Sequence, residues 1–396
     1  MTTKAPSSSP RRAGQRLSWR NPSVRSAVYQ GLLLALVAAA AWYLLSNTLA
    51  NLAQRNISSG FGFLGREAGF AIGETPIAYT PADTYGRAIL VGLLNTLRVS
   101  VVCIVVATLL GTLLGMARLS HNWLIARLAG VYIEFVRNVP LLLQLFFWYA
   151  IITESTPGPR QALNPLPGVF LSNRGLKLPG LQGDALDWIA GGLALAVLLS
   201  VLLWHGARKM RLRSGKPLPV LRIAATLLLA LPLAGWWFSG AALALDMPHL
   251  RGFNFQGGIS LSPEFAALTM GLVVYTSAFI AEVVRSGVQS VSRGQWEAAQ
   301  ALGLSRGRTL RLVILPQALR VIVPPMTSQF LNVTKNSSLA VAIGYPDIVS
   351  VVNTTLNQTG QAVEGIMIIM AAYLAVSLAI ALLMNWYNRR IALVER

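Results

Sequence analysis

The chemistry available to this chain sits in three polar stretches set between long apolar runs. The first is EAAQALGLSRGRTLRLVILPQA, Glu297 to Ala318. Glu297, Ala298 and Ala299 open a short helix whose small alanines permit close approach of another surface. Gly303 can take a positive φ, which ends one helical piece and re-aims the next. Arg306, Arg308 and Arg311 crowd the second piece, and Leu315-Pro316 is expected to close it. Charge at that density belongs outside lipid, so this is where a membrane protein would meet a soluble partner. Glu297 offers that partner a hydrogen bond or ion pair, and its place in the first helical turn also suits the helix dipole. The plainer reading is a solvated amphipathic loop.

The second stretch holds Asn332, Thr334, Lys335, Asn336, Ser337 and Ser338. At 1.5 Å per helical residue Lys335 lies roughly 22 Å beyond Arg320, near mid-membrane or above. These groups could donate to a carboxylate, and their close spacing points to a broken helix lining a cavity. An ion pair at a subunit interface, or a lysine reaching for the outer surface, explains Lys335 equally well. The third stretch holds Glu134, Arg137, Asn138 and Pro140. Glu134 and Arg137 share a helical face, so pairing with one another is the structural expectation. The functional alternative aims Glu134 at a substrate ammonium or a facing subunit, with Asn138 and Pro140 permitting a local helix adjustment. Glu282 and Arg285 repeat the spacing and are expected to pair.

Enzymatic chemistry has little to build on. His121, His205 and His249 are isolated, and no HExxH, GxSxG or clustered metal ligands occur. GxxxxGK[ST] is absent, since Gly215-Lys216 runs into Pro217. Cys103 is the only cysteine, which excludes a disulfide within the chain or a cysteine metal site.

The elements that must position these stretches are membrane spans. Hydrophobic residues make up 54% of the 396 and charged ones 12%, with mean hydropathy +0.56. A soluble domain carries roughly 25% charged residues. Eight apolar runs read as spans: 28–49, 96–117, 132–152, 186–204, 220–238, 266–284, 321–343 and 365–386. Arg98 then sits near the outer boundary, where it can snorkel. Gly111 and Gly115 form a GxxxG pattern, a common feature that can also draw helices together. The net charge of +19 invites a nucleic-acid reading. Basic clusters near span ends account for it better, and no nucleic-acid partner is expected. Those clusters fall in the amino-terminal arm, at Arg208 to Arg222, at Arg293 to Arg311 and at Arg389 to Arg396. With eight spans all of them share one face, which places both termini in the cytoplasm. The divisions are a basic cytoplasmic arm over 1–27, an anchor over 28–50 and a periplasmic segment over 51–87. A transmembrane domain follows over 88–388, with an insertion at about 153–257 and a cytoplasmic tail over 389–396. The first run, with Ala38 to Ala41, could also be read as a secretory signal, but its length and long flank favour an anchor.

Glu297 to Ala318 resembles the EAA coupling loop of the membrane subunits of ABC importers, in the form found in the polar amino-acid uptake family. GLLNTLRVSVV (Gly92 to Val102), IEFVRNVPLLLQLFFWY (Ile133 to Tyr149), AFIAEVVRSGVQSVSRGQWEAAQALGLS (Ala278 to Ser305) and KNSSLAVAIG (Lys335 to Gly344) extend the likeness. Where that family usually has Arg-Gly-Thr-Pro, this chain has Arg137-Asn138-Val139-Pro140. Its extra anchor and its insertion, read as two more spans with a basic loop, resemble the larger permeases of general L-amino-acid importers and of glutamate, glutamine, aspartate and asparagine importers.

The resemblance implies an all-α polytopic membrane protein with the type I ABC importer transmembrane domain and an inserted helical pair. It further implies a permease subunit in a multi-pass complex of the bacterial inner membrane. The partners would be a second, homologous permease, a cytoplasmic ATPase dimer that uses ATP and Mg, and a periplasmic amino-acid-binding protein. No cofactor is expected in this chain. Glu297, Ala298, Ala299, Gly303, Leu315 and Pro316 would form the seat for the ATPase. Lys335 with its polar neighbours, and Glu134, Arg137 and Asn138, would line the substrate path. An ion-coupled secondary transporter or channel is the alternative, and a scaffold whose sister subunit holds the substrate site is a third reading.

Overall fold

The computed structural model describes residues 22–54, 60–182, 185–214, 219–240 and 244–391. Most of the basic arm and the last five residues of the tail therefore lie outside the described residues. Twelve α-helices are described: α1 (Pro22–Gln54), α2 (Tyr85–Arg118), α3 (Trp123–Asn138), α4 (Leu141–Ala150), α5 (Ala185–Ser214), α6 (Val220–Ser239), α7 (Pro263–Gln289), α8 (Arg293–Ala301), α9 (Arg306–Thr309), α10 (Leu315–Asn336), α11 (Ile348–Thr359) and α12 (Ala362–Ile391). Among the described residues, seven helical segments are long and apolar enough to cross a membrane, and the bent pair Trp123–Asn138 with Leu141–Ser155 makes an eighth if taken as one span.

Two helices form the axis of the bundle. α2 starts at Tyr85, well before the expected Thr96, because Thr84 caps it by accepting the Arg87 N–H. Its 34 residues span about 51 Å, more than the hydrocarbon core requires. Gly92, Thr96, Val99, Cys103, Ala107, Gly111 and Gly115 lie three or four apart and are all buried, so one face carries the packing. α7 begins with Ser262 accepting the Phe265 N–H at 3.0 Å and Pro263 in the first turn. The GxxxG pattern lies at the crossing of the two. A Cβ on Gly111 would stand 2.7 Å from Ile280 and from the Ser277 carbonyl, and one on Gly115 2.7 Å from the Ala281 carbonyl. Gly111→Leu is therefore expected to cost about 1–3 kcal/mol, read as a lower Tm of the solubilised protein. An unchanged Tm would mean that the crossing relaxes freely.

The expected span 132–152 is not one helix. α3 and α4 meet at Val139-Pro140 with a bend of 102°. Proline cannot donate to the preceding turn, and it disfavours helix at the residue before it. Gln144 mends the break, its Nε2 donating to the carbonyls of Val136 at 3.0 Å and Val139 at 3.1 Å.

At the end of the bundle far from α8, residues 60–84 form a strap. Its Phe63 and Ala68 are buried, and Arg87 donates to the Ala78 carbonyl. Glu74 accepts from Arg98 at 3.1 Å and from the Ser262 N–H at 3.1 Å, while the Arg98 guanidinium lies 4.6 Å from the Phe265 ring centre. Arg98 is thus held by a carboxylate and an aromatic face of its own chain.

The insertion contains the expected pair of apolar helices, α5 and α6, and, among the described residues, seven short strands, with an eighth just after it. β1 (Leu163–Leu166), β2 (Val169–Ser172), β3 (Gly175–Leu178) and β8 (Ile259–Leu261) form an antiparallel sheet in that order. β4 (Gly180–Gln182) pairs with β5 (Ala244–Asp246), and β6 (His249–Arg251) with β7 (Asn254–Gln256). The strands flank the α5–α6 hairpin in sequence and join it to the start of α7. At the opposite end of the hairpin, Arg390 of α12 lies over the rings of Trp204 and Trp386.

Candidate functional site: a coupling surface and a polar path

α8 is short, and its faces divide cleanly. Trp296 packs into a cluster with Val291, Ile314 and Ala318, and Ala299 is buried. Glu297 and Ala298 face outward. The helix stops at Gly303, whose φ of 70° suits a residue without a Cβ. The Gly303 N–H bonds the Gln300 carbonyl at 2.9 Å, and the Leu304 N–H bonds the Ala299 carbonyl at 3.1 Å, the pairing of a Schellman stop. That geometry turns Leu302 outward with 80% of its surface exposed. Leu302 is the residue that sequence reading missed here; a large apolar side chain beside a helix-ending glycine was the available signal.

Two contacts tie this surface to the bundle. Gln317 Nε2 donates to Gln295 Oε1 at 3.1 Å, and Arg306 bonds His121 in the loop between α2 and α3. Leu315-Pro316 does not close the second helical piece as expected. A π turn over Leu310–Ile314 leads directly into α10, with Pro316 in its first turn. Proline is tolerated there because its missing N–H falls where the wide turn has already altered the hydrogen-bond ladder.

The polar stretch at the far end of α10 divides into two groups. Thr334 and Ser337 are fully buried, and their hydroxyls donate to the Phe330 and Thr334 carbonyls at 3.2 and 2.7 Å. Ser338 donates to the Lys335 carbonyl at 2.7 Å. Three hydroxyls are therefore spent on their own helix. Lys335 and Asn332 are exposed on this chain, with Asn336 half-buried at the helix end. The α-helix breaks into a 3-10 turn over Ser337–Ile343, as the sequence led one to expect. A large cavity between α2, α7, α8, α10 and α12 is lined by other residues, and of this stretch Asn332 and Lys335 lie on an open face.

Glu134 and Arg137 do not pair. Arg118 enters from α2 and binds Glu134 at 3.1 Å and Glu282 at 3.1 Å, while the Arg137 guanidinium lies 5.1 Å from the Phe279 ring centre. The guanidinium from α2 can serve two carboxylates at once, and Arg137 gains the aromatic face. Glu282 and Arg285 do pair, with Arg285 Nε at 3.1 Å. Asn138 is exposed at the end of α3, and Gln144 rather than Asn138 serves the bend.

Residues 107–393 match the family model for the inner membrane component of binding-protein-dependent transport systems. The chain belongs to that family. Among similar proteins is the putative amino-acid ABC transporter permease YhdX of Escherichia coli K12, 54% identical over 382 residues, which are 96% of this chain and 97% of YhdX. The general L-amino acid transport system permease AapQ of Rhizobium johnstonii is 46% identical over 95% of this chain and 94% of AapQ. The glutamate/glutamine/aspartate/asparagine transport system permease BztB of Rhodobacter capsulatus is 42% identical over 98% and 99%. A crystal structure of an amino acid ABC transporter with histidines aligns over 77% of this chain and 95% of that one, at 21% identity and a TM-score of 0.46. The permease is a multi-pass protein of the inner membrane. ATP is hydrolysed in a separate ATPase subunit, and an ATPase and a binding protein are its partners.

A further buried carboxyl of the permease escaped sequence reading. Asp347 is fully buried at the start of α11, where it accepts the Ser350 N–H at 2.8 Å and faces the Tyr373 hydroxyl at 3.5 Å. Burial pushes this carboxyl from an ordinary 3.8 up to about 7. The folded state therefore holds its proton to higher pH than the unfolded chain does. Its contribution to stability falls as pH rises from about 4 to about 7 and is level above that. Asp347→Asn, which can still cap α11, is expected to flatten Tm against pH over that window. An identical slope in the variant would assign the dependence to another group.

Proposed function

We propose that the permease is one of two membrane subunits of an ATP-driven importer of L-amino acids, with polar or acidic side chains favoured. The observation that carries this is the outward face of α8, Glu297, Ala298 and Leu302 before the Gly303 stop, in a chain alike over nearly its full length to amino-acid permeases. The face seats in a cleft of a cytoplasmic ATPase dimer, which binds ATP and Mg. Closure of that dimer moves α8, and the continuous helix from α9 through the π turn into α10 carries the motion across the membrane. A homologous second permease covers the open face with Lys335, Asn332 and Asn336, which then offer donors to the substrate carboxylate. A periplasmic binding protein delivers substrate at the strap end. Eight crossings put both termini on the α8 side, in the cytoplasm.

The test is uptake by the reconstituted complex with and without ATP. Strict dependence on ATP is expected, together with a raised KM for Lys335→Met. Uptake by this chain alone, driven by an ion gradient, would overturn the reading. A normal KM in Lys335→Met would remove only the carboxylate role.

A further inference from the structure

A cavity of about 1090 Å³ lies between α2, α7, α8, α10 and α12. Small-molecule sites typically occupy roughly 300–1,000 Å³, so this one is large. It is also long, because its α10 wall runs from Leu315 to Phe330, about 22 Å along the helix. That exceeds the roughly 15 Å depth of one leaflet's hydrocarbon and continues into the headgroup layer. Leu319, Ile322, Met326 and Phe330 give the wall an apolar surface. Its two threonines add little polarity, because Thr108 and Thr112 donate to the Ile104 and Thr108 carbonyls at 2.6 and 2.7 Å. The ammonium of an amino acid would find no carboxylate there, since no Asp or Glu lines the cavity. Charge is concentrated at the α8 end, where Arg293 and Arg306 line the cavity and neither has a carboxylate within ion-pair distance among the described residues. Arg306 gives one donor to His121 and keeps the rest of its fork.

We infer that the cavity binds one anionic phospholipid, with an acyl chain along α10 and the phosphate between Arg293 and Arg306. The charge at the mouth selects an anion, the spent hydroxyls select a hydrocarbon tail, and the length fits a chain reaching in from the leaflet on the α8 side. The lipid then lies directly behind the coupling surface and holds α8 against α10, so the occupancy of this site tunes how firmly the two move together.

The test is native mass spectrometry and lipid extraction on the full chain, purified with its natural partners and then exchanged through vesicles of phosphatidylethanolamine with or without phosphatidylglycerol. One tightly held phosphatidylglycerol per chain is expected, with about tenfold preference over phosphatidylethanolamine. Arg293→Gln combined with Arg306→Gln is expected to remove the preference, and Met326→Trp to displace the chain. Should Met326→Trp fail to fold, the arginine pair still decides. No retained lipid, equal retention in the double arginine variant, or a helix of another subunit cross-linked at Met326→Cys would each overturn the inference.

Discussion

Gly303→Val is expected to reduce uptake more than about tenfold while the protein still inserts and accumulates normally. A β-branched residue at φ 70° costs on the order of 1–3 kcal/mol in strain. The chain escapes that strain by giving up the bonds from Gly303 and Leu304 to the Gln300 and Ala299 carbonyls. Leu302 then loses its aim, and a docking loss of about 1.4 kcal/mol is already tenfold. Gly303→Asn supplies the control, since asparagine visits the left-handed region and keeps the stop. It should retain most of the uptake. Uptake, ATPase rate and membrane content measured together separate the outcomes. Normal uptake in the valine variant, or equal loss in both, would show that the helix stop does not matter to coupling.

Arg118→Met is expected to destabilise the bundle by breaking a bridge between three helices. Its guanidinium joins Glu134 of α3 and Glu282 of α7, and removing it leaves Glu134 without its partner and Glu282 with Arg285 alone. Breaking a fully buried ion pair costs roughly 3–5 kcal/mol. Arg118 and Glu282 keep 22% and 26% of their side chains exposed, so screening lowers the expectation to about 2 kcal/mol. Adding Glu282→Gln should deepen the loss, because Arg285 then loses its carboxylate as well. Glu134→Gln alone should cost under about 1 kcal/mol, since Glu134 is 68% exposed. Thermal unfolding of the four proteins in one detergent checks this. An unchanged Tm for Arg118→Met would rule out this bridge as a source of stability.

Both cases show which parts of the fold can be read along the chain. Span composition is a local property, so the apolar runs carried most of the helices, and Gly303 announced its conformation because only its residue type suits φ 70°. The bend at Pro140 was legible in kind but not in size. The angle of 102° depends on α4 packing on α7 and on Gln144 reaching back to α3. The short strands of the insertion carry little alternation over three or four residues, too little for a period to register.

By itself the sequence determined that the chain spans a membrane many times, where its basic ends gather, and that a polar helix pair interrupts it near residue 300. These follow from composition and from residue-specific backbone freedom. Only the tertiary structure decided that Arg118 rather than Arg137 serves Glu134, that Glu74 holds Arg98, that Asp347 is buried, and that a long cavity lies behind α8. Ion pairs and cavities are set by which helices meet and at what depth, and residues far apart in the chain compete for the same partner. Spacing along one helix records its neighbours in sequence and carries no information about the side chains that arrive from another.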